Sequence, residues 1–172
     1  MYKFSRIGIV LLLLVLVSMS AISANGQEMS SGDQVEGLIS TVWNEGDLEA
    51  VGDYVAGDVM VYLPPSLGVD PPFAGIEGYT MNAAGWRAGL PDLNLEVLRI
   101  VAGEDAVAAR VMISGTQTET FFGIPPTDAE LSFAANIIYV MNEDGLIVEE
   151  WWEWDTVLEL VQLGLFTPPG AE

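Results

Sequence analysis

The sequence predicts a single α+β domain in which short helices come first and a meander of long strands follows. Two observations carry that prediction. Over residues 35–43 the apolar side chains recur at spacings of three and four, the period of a helix face, and two further short helices read at 48–55 and 76–88. Beyond residue 93 they stand instead in extended runs, separated by short turns rich in Gly, Asp and Asn. A third observation sets the boundaries: no repeat and no low-complexity linker divides the chain, so residues 33–166 read as one domain.

Taken in order, the chain begins with Lys3 and Arg6, an apolar run over residues 7–17 broken only by Gly8, and a small, polar stretch over 18–24. This is the layout of a secretory signal peptide over residues 1–26, with cleavage after Ala24 or Gly26. The rival is an uncleaved membrane anchor over residues 7–24. Either predicts a secreted or extracytoplasmic domain, with membrane contact only if the segment is uncleaved. Residues 27–32 read as a flexible lead-in. Val35, Leu38, Ile39, Val42 and Trp43 then share one helical face, capped by Asp33 or Ser31. Asn44-Glu45-Gly46-Asp47 stops that helix, and residues 48–55 form a second with Asp47 as its cap.

Residues 59–63 are a β-branched and aromatic run, halted by Pro64-Pro65. The Pro- and Gly-rich residues 64–75 form a loop long enough to rim a pocket or cover it. A third helix spans residues 76–88, ended by Gly89 and Pro91. Strands follow over 93–102, 106–118, 129–141 and 146–154, the first and last pairs joined by hairpin turns at 103–105 and 142–145. Several are apolar on both parities, which predicts a sheet covered on both faces, by helices on one side and a partner subunit on the other.

Charge excludes whole classes of function. The chain carries 25 acidic residues, five Lys and Arg, and no His or Cys. Without Lys3 and Arg6, the basic side chains are Arg87, Arg99 and Arg110. Such a surface repels nucleic acid and anionic lipid. No disulfide framework, zinc ligand set, phosphate-cradling Gly loop or nucleophile elbow is present, and the acidic residues of 143–155 lack the alternating ligands of a calcium loop. No cofactor or metal is expected.

The most informative stretch is residues 147–164, which sets carboxylates beside tryptophans and closes on a short amphipathic tail. A carboxylate against large aromatic faces can be desolvated and its pKa raised, which is how a pocket acquires a general base. Glu149, Trp151 and Asp155 share a parity on an unbulged strand. Arg110, mid-strand in an apolar run, needs a partner inside or must reach the rim; Glu149 is the expected partner, and a substrate carboxylate is the other possibility. Trp86, Trp151, Trp152 and Trp154 can wall a pocket for a flat ligand or simply fill the core.

Gly75-Ile-Glu-Gly78, Leu90-Pro-Asp-Leu93, residues 104–110, Gly115-Thr-Gln-Thr118, residues 123–127 and residues 147–164 follow one another in an order and spacing that resembles the SnoaL-like polyketide cyclase and ester cyclase family. The resemblance implies a nuclear transport factor 2-like cone, with N-terminal helices packed on a strongly curved antiparallel sheet. It further implies cofactor-free proton abstraction beside a carbonyl, with Asp155 in the position of the family's base. Tyr62 and Gln117 stand where the family often has histidines. Both can donate hydrogen bonds to an enolate-like oxygen, though neither shuttles protons near neutral pH. Asp155 is equally suited to cap a helix over 156–163.

Two readings therefore stand open. In one, Asp155 removes a proton from a small hydrophobic carbonyl compound while Tyr62 or Gln117 polarises its oxygen, and Glu149, Arg110, Trp151 and Trp86 hold the substrate. In the other, the domain is an exported, non-catalytic binding or interaction module. A homodimer packed through the sheet is expected in both.

Overall fold

A computed structural model describes residues 30–170 of the chain. The export segment expected over residues 1–26 lies outside the described residues. Among the described residues, no helix is long and apolar enough to cross a membrane.

Helix α1 (Ser31–Leu38) starts with a capping box. The Ser30 hydroxyl accepts from the Asp33 amide at 3.2 Å, and the Asp33 carboxylate accepts from the Ser30 amide at 3.2 Å. The cap is thus Ser30, one residue before the expected Ser31, and Asp33 is its reciprocal partner; two orphan amides are satisfied at once. The helix widens into a π-helical stretch, Ile39–Glu45, and ends at Gly46 with φ 79°. There the Arg87 guanidinium donates to the carbonyls of Trp43 (2.6 Å) and Asn44 (3.1 Å), a cation placed where a helix leaves its last acceptors. A side chain at position 46 would meet the Arg87 Nε at 2.6 Å, so glycine is required twice over.

Asp47 starts the next segment as expected, accepting from the Glu49 amide at 3.1 Å. A 3₁₀ turn (Leu48–Ala50) leads into α2 (Val51–Tyr54). Strand β1 (Val55–Tyr62) begins earlier than residue 59, because Gly57 and Asp58 continue extended rather than ending a helix. The 64–75 connection contains a 3₁₀ turn (Pro65–Leu67) and a short β2 (Phe73–Ala74) that pairs back on β1. Helix α3 (Gly75–Gly89) follows, then β3 (Asn94–Ala102), β4 (Ala106–Gln117), β5 (Ala129–Met141), β6 (Ile147–Trp154) and α4 (Thr156–Gln162).

The six strands form one sheet in the order β2-β1-β6-β5-β4-β3. The antiparallel expectation holds for β3 to β6, but β1 lies parallel to β6 and makes the sheet mixed. Helices cover one face only. Against that face the core gathers Trp43, Trp86, Trp152, Tyr79, Tyr139, Phe121 and Phe133, all essentially without solvent contact. Each such aromatic side chain removes about 150–250 Å² from water. Among the described residues nothing covers the other face, which exposes Leu98, Val101, Ile138 and Trp151.

Candidate functional site

Strand β6 decides what reaches the interior. Val140 pairs with Glu149, but Met141 pairs with Ile147, so Val148 is an extra residue in a bulge. The bulge lets Ile147 and Glu150 both point inward although they are three residues apart. Beyond it the alternation is regular. Glu150, Trp152 and Trp154 face the helices, while Glu149, Trp151 and Glu153 face out.

Glu150 is 0% exposed. Its Oε1 accepts from the Tyr79 hydroxyl at 2.7 Å, and its Oε2 accepts from the Trp152 indole N–H at 2.8 Å. The Trp43 indole N–H in turn donates to the Tyr79 oxygen at 3.0 Å, which leaves the Tyr79 proton directed at the carboxylate. Burial pushes the Glu150 carboxyl up to about 7, and the two hydrogen bonds restrain that rise without cancelling it. The hydroxyl of Tyr139, directly across the ladder from Glu150, is likewise driven well above the ordinary tyrosine range by burial and by the neighbouring carboxylate. Tyr79 is raised for the same reasons.

The same interior holds polar atoms with no partner among the described residues. The Tyr139 hydroxyl, the Trp86 indole N–H and both side-chain atoms of Asn82 are buried and unbonded. Buried polar groups are nearly always paired, so four such atoms in one aromatic interior call for an explanation. Tyr79, Asn82 and Trp86 lie on one face of α3, spaced by three and four residues. Trp86 stacks on Trp152 with ring centroids 6.0 Å apart and meets Trp154 and Phe121 edge-on at 5.4 and 4.9 Å. Gly89 makes the last contact possible, since a side chain there would meet the Phe121 ring at 2.6 Å. The interior is therefore an aromatic box with one ionisable group and a set of hydrogen-bond donors.

The residues singled out from sequence occupy other places. Asp155 is exposed and caps α4, accepting from the Leu158 amide at 2.9 Å. Tyr62 is half-buried on the outer face and stacks on Trp151, centroids 3.9 Å apart. Glu149 and Trp151 do share a face, but it is the outer one, where the Glu149 carboxylate takes the Trp151 indole N–H at 2.9 Å. Arg110 is exposed on that face too and donates to Asn136 at 3.0 Å. The ladder aligns Arg110 with Asn136 and Asn136 with Glu153, four residues beyond Glu149, so the expected Arg110–Glu149 pairing is out of register. Gln117 is fully buried, but its amide is spent on backbone. It donates to the carbonyls of Glu119, Ile124 and Pro125, and accepts from the amide and hydroxyl of Thr127. Of the named residues, Trp86, Trp152 and Trp154 belong to the box.

Sequence reasoning thus missed Glu150, Tyr79, Asn82 and Tyr139. One signal was available: the parity of β6 that holds Glu150 also holds two tryptophans, and is the more apolar of the two.

Two openings mark the surface. A wide, acidic cleft of about 820 Å³ lies at the hairpin end, lined by residues such as Asp53, Glu104, Asp105 and Glu143. A small groove of about 80 Å³ lies where the Pro65–Leu67 turn, the Phe121–Ile124 turn and α4 converge. Among the described residues no group of three or more acidic, His or Cys side chains is arranged to hold a metal ion.

The chain matches the family model described as SnoaL-like polyketide cyclase over residues 33–163. Among solved structures it is similar to IdmH of Streptomyces antibioticus, described as a candidate polyketide cyclase. The two share 32% identity over 78% of this chain and 98% of that one, with a TM-score of 0.66. A SnoaL-like polyketide cyclase of Agrobacterium tumefaciens shares 23% identity over 78% and 98% of the two chains, TM-score 0.66. A candidate SnoaL-like cyclase of Jannaschia shares 17% over 80% and 93%, TM-score 0.71, a likeness of fold. No curated protein matches the chain by sequence.

Proposed function

The chain belongs to the SnoaL-like polyketide cyclase family, and from that premise we propose that it abstracts a proton beside a carbonyl of a small hydrophobic compound, with Glu150 as the base. The observation that carries this reading is the sealed Glu150 carboxylate, poised near 7 and oriented by Tyr79 and Trp152. A base works best when its pKa lies near the working pH.

In the proposed step Glu150 takes the proton from the carbon next to the carbonyl. The C–H electron pair moves into the adjoining bond, and the negative charge collects on oxygen. The free donors of Tyr139, Trp86 and Asn82 are the groups available to bind that oxygen, in a dry interior where each is worth more than in water. The enolate carbon then attacks a second carbonyl to close a ring, and the alkoxide so formed takes the proton from Glu150; alternatively the enolate takes that proton back at another carbon to complete an isomerisation. The step as written needs no metal or cofactor.

A catalytically silent binding module is the second reading. It draws support from Asp155, which occupies the family base position yet serves as a helix cap. In both readings the outer sheet face packs against a second copy through Tyr62, Trp151 and Ile138, and residues 1–26 direct export.

Kemp elimination separates the two readings without knowledge of the substrate. In 5-nitrobenzisoxazole a base removes one C–H proton, the N–O bond opens, and a coloured phenolate forms. Turnover by the domain is expected to rise with pH through about 7 and to vanish in Glu150→Gln, while Asp155→Asn keeps it. No turnover above buffer, or turnover that survives in a folded Glu150→Gln, would sink the base assignment.

A further inference from the structure

Glu159 is the second buried carboxylate, and the proton-abstraction chemistry does not use it. Although α4 is a short surface helix, Glu159 is only 3% exposed. Its Oε2 accepts from the Trp154 indole N–H at 2.8 Å. Among the described residues its Oε1 has no recorded partner, and the side chain forms part of the wall of the 80 Å³ groove. Burial raises the carboxyl above its ordinary value, and the Trp154 hydrogen bond restrains that rise.

The rest of the groove shows what would pair with Oε1. Ser66 and Thr156 bring hydroxyl oxygens 3.4 Å apart, and Leu67, Phe122, Ile124 and Leu160 complete an apolar wall. Phe122 is held there by a backbone with φ 45°, a conformation rarely adopted by an aromatic residue. An ammonium group has three donors and no acceptor. A carboxylate oxygen and two hydroxyl oxygens are a matching set of three acceptors. A chain with formal net charge -20 concentrates cations around itself. A neutral carbonyl compound would leave the Glu159 oxygen without a donor, and an anion would be repelled.

We propose that this groove is a binding site for a primary alkylammonium group, with Glu159, Ser66 and Thr156 taking its three N–H bonds and Leu67, Phe122, Ile124 and Leu160 packing on its first carbons. The site is independent of Glu150 and stands whether or not the interior is catalytic. Its ligand is an aliphatic amine, or the amine-bearing end of a larger apolar molecule, and its size admits little more than the head group and the carbons next to it.

The test is a titration of the folded domain with n-butylammonium chloride, followed by NMR at the Trp154 indole N–H, the group bonded to Glu159. A saturable shift is expected, absent with sodium chloride and much weaker with 1-butanol, which has the same chain without the charge. Glu159→Gln should weaken binding by about ten-fold or more, and Ser66→Ala, at an exposed position, by about five-fold. No saturation, an equal response to 1-butanol, or affinity unchanged in Glu159→Gln overturns the site. Should Glu159→Gln fail to fold, unchanged affinity in Ser66→Ala overturns it as well. Kemp elimination by Glu150 is expected to be unaffected by butylammonium that fills only the groove, so the two assignments fail separately.

Discussion

The two faces of β6 carry nearly the same residues, Glu149, Trp151 and Glu153 outward and Glu150, Trp152 and Trp154 inward, yet they have opposite chemistry. On the outer face Trp151 is 44% exposed and Glu149 holds the edge of its indole beside solvent. On the inner face the same pair of residue types, Glu150 and Trp152, is sealed under α3, and the carboxyl moves up to about 7. Residue type does not separate them. Water does, and a single bulge at Val148 decides which glutamate loses it.

The sharpest break of that comparison is a pair of truncations. Trp152→Ala should cost about 3–5 kcal/mol of stability, the loss of a closely packed core aromatic. Trp151→Ala should change the unfolding free energy of the single chain by about 0.5 kcal/mol or less. Denaturant unfolding of both variants checks this, and equal losses would mean that the outer face is as sealed as the inner. Sedimentation of the Trp151 variant reads whether a second copy seals it.

Next comes proton linkage at Glu150. A free glutamate ionises near 4.5 and Glu150 near 7, so between those values the native chain keeps a proton that the unfolded chain has released. The stability contributed by this group is full below 4.5, declines as pH rises to about 7, and is level above. The decline is on the order of 3 kcal/mol. Urea unfolding across that range should show the decline in the wild-type chain and in Glu149→Gln, and should show it largely removed in Glu150→Gln. A Glu149→Gln profile that matched Glu150→Gln would reverse the two faces.

The smallest effect is at the strand's end. Asp155→Ala removes a helix cap and should cost about 1 kcal/mol, with little dependence on ligands. A much larger loss would indicate that Asp155 does more than cap.

How far the sequence reached can be judged on the same strand. Helix periodicity placed the buried residues of the first helix, Val35, Leu38, Ile39, Val42 and Trp43, because an amphipathic stripe is a local signal. Residues 129–141 were bounded correctly by the turns on either side. The site was harder. Alternation counted from Ile147 puts Glu149 inside and Glu150 outside; the bulge reverses this, and a bulge is set by pairing with β5 rather than by the residues of β6 alone. Parallel pairing of β1 with β6 is equally non-local. Gln117 looked like a donor because its type and its neighbours allowed it. Its actual partners are main-chain groups and the Thr127 hydroxyl of a loop whose path no spacing reveals.

That Gln117 arrangement has a consequence for how the molecule can diversify. One buried amide clips the chain at Glu119, Ile124, Pro125 and Thr127, so the Phe121–Ile124 tip hangs from a closed ring anchored at the last residue of β4. With Phe121 kept in the core, changes confined to Phe122 and Gly123 leave the β4–β5 register alone and reshape only the groove beside α4. The shape of the groove and the register of the sheet are thereby placed under separate control.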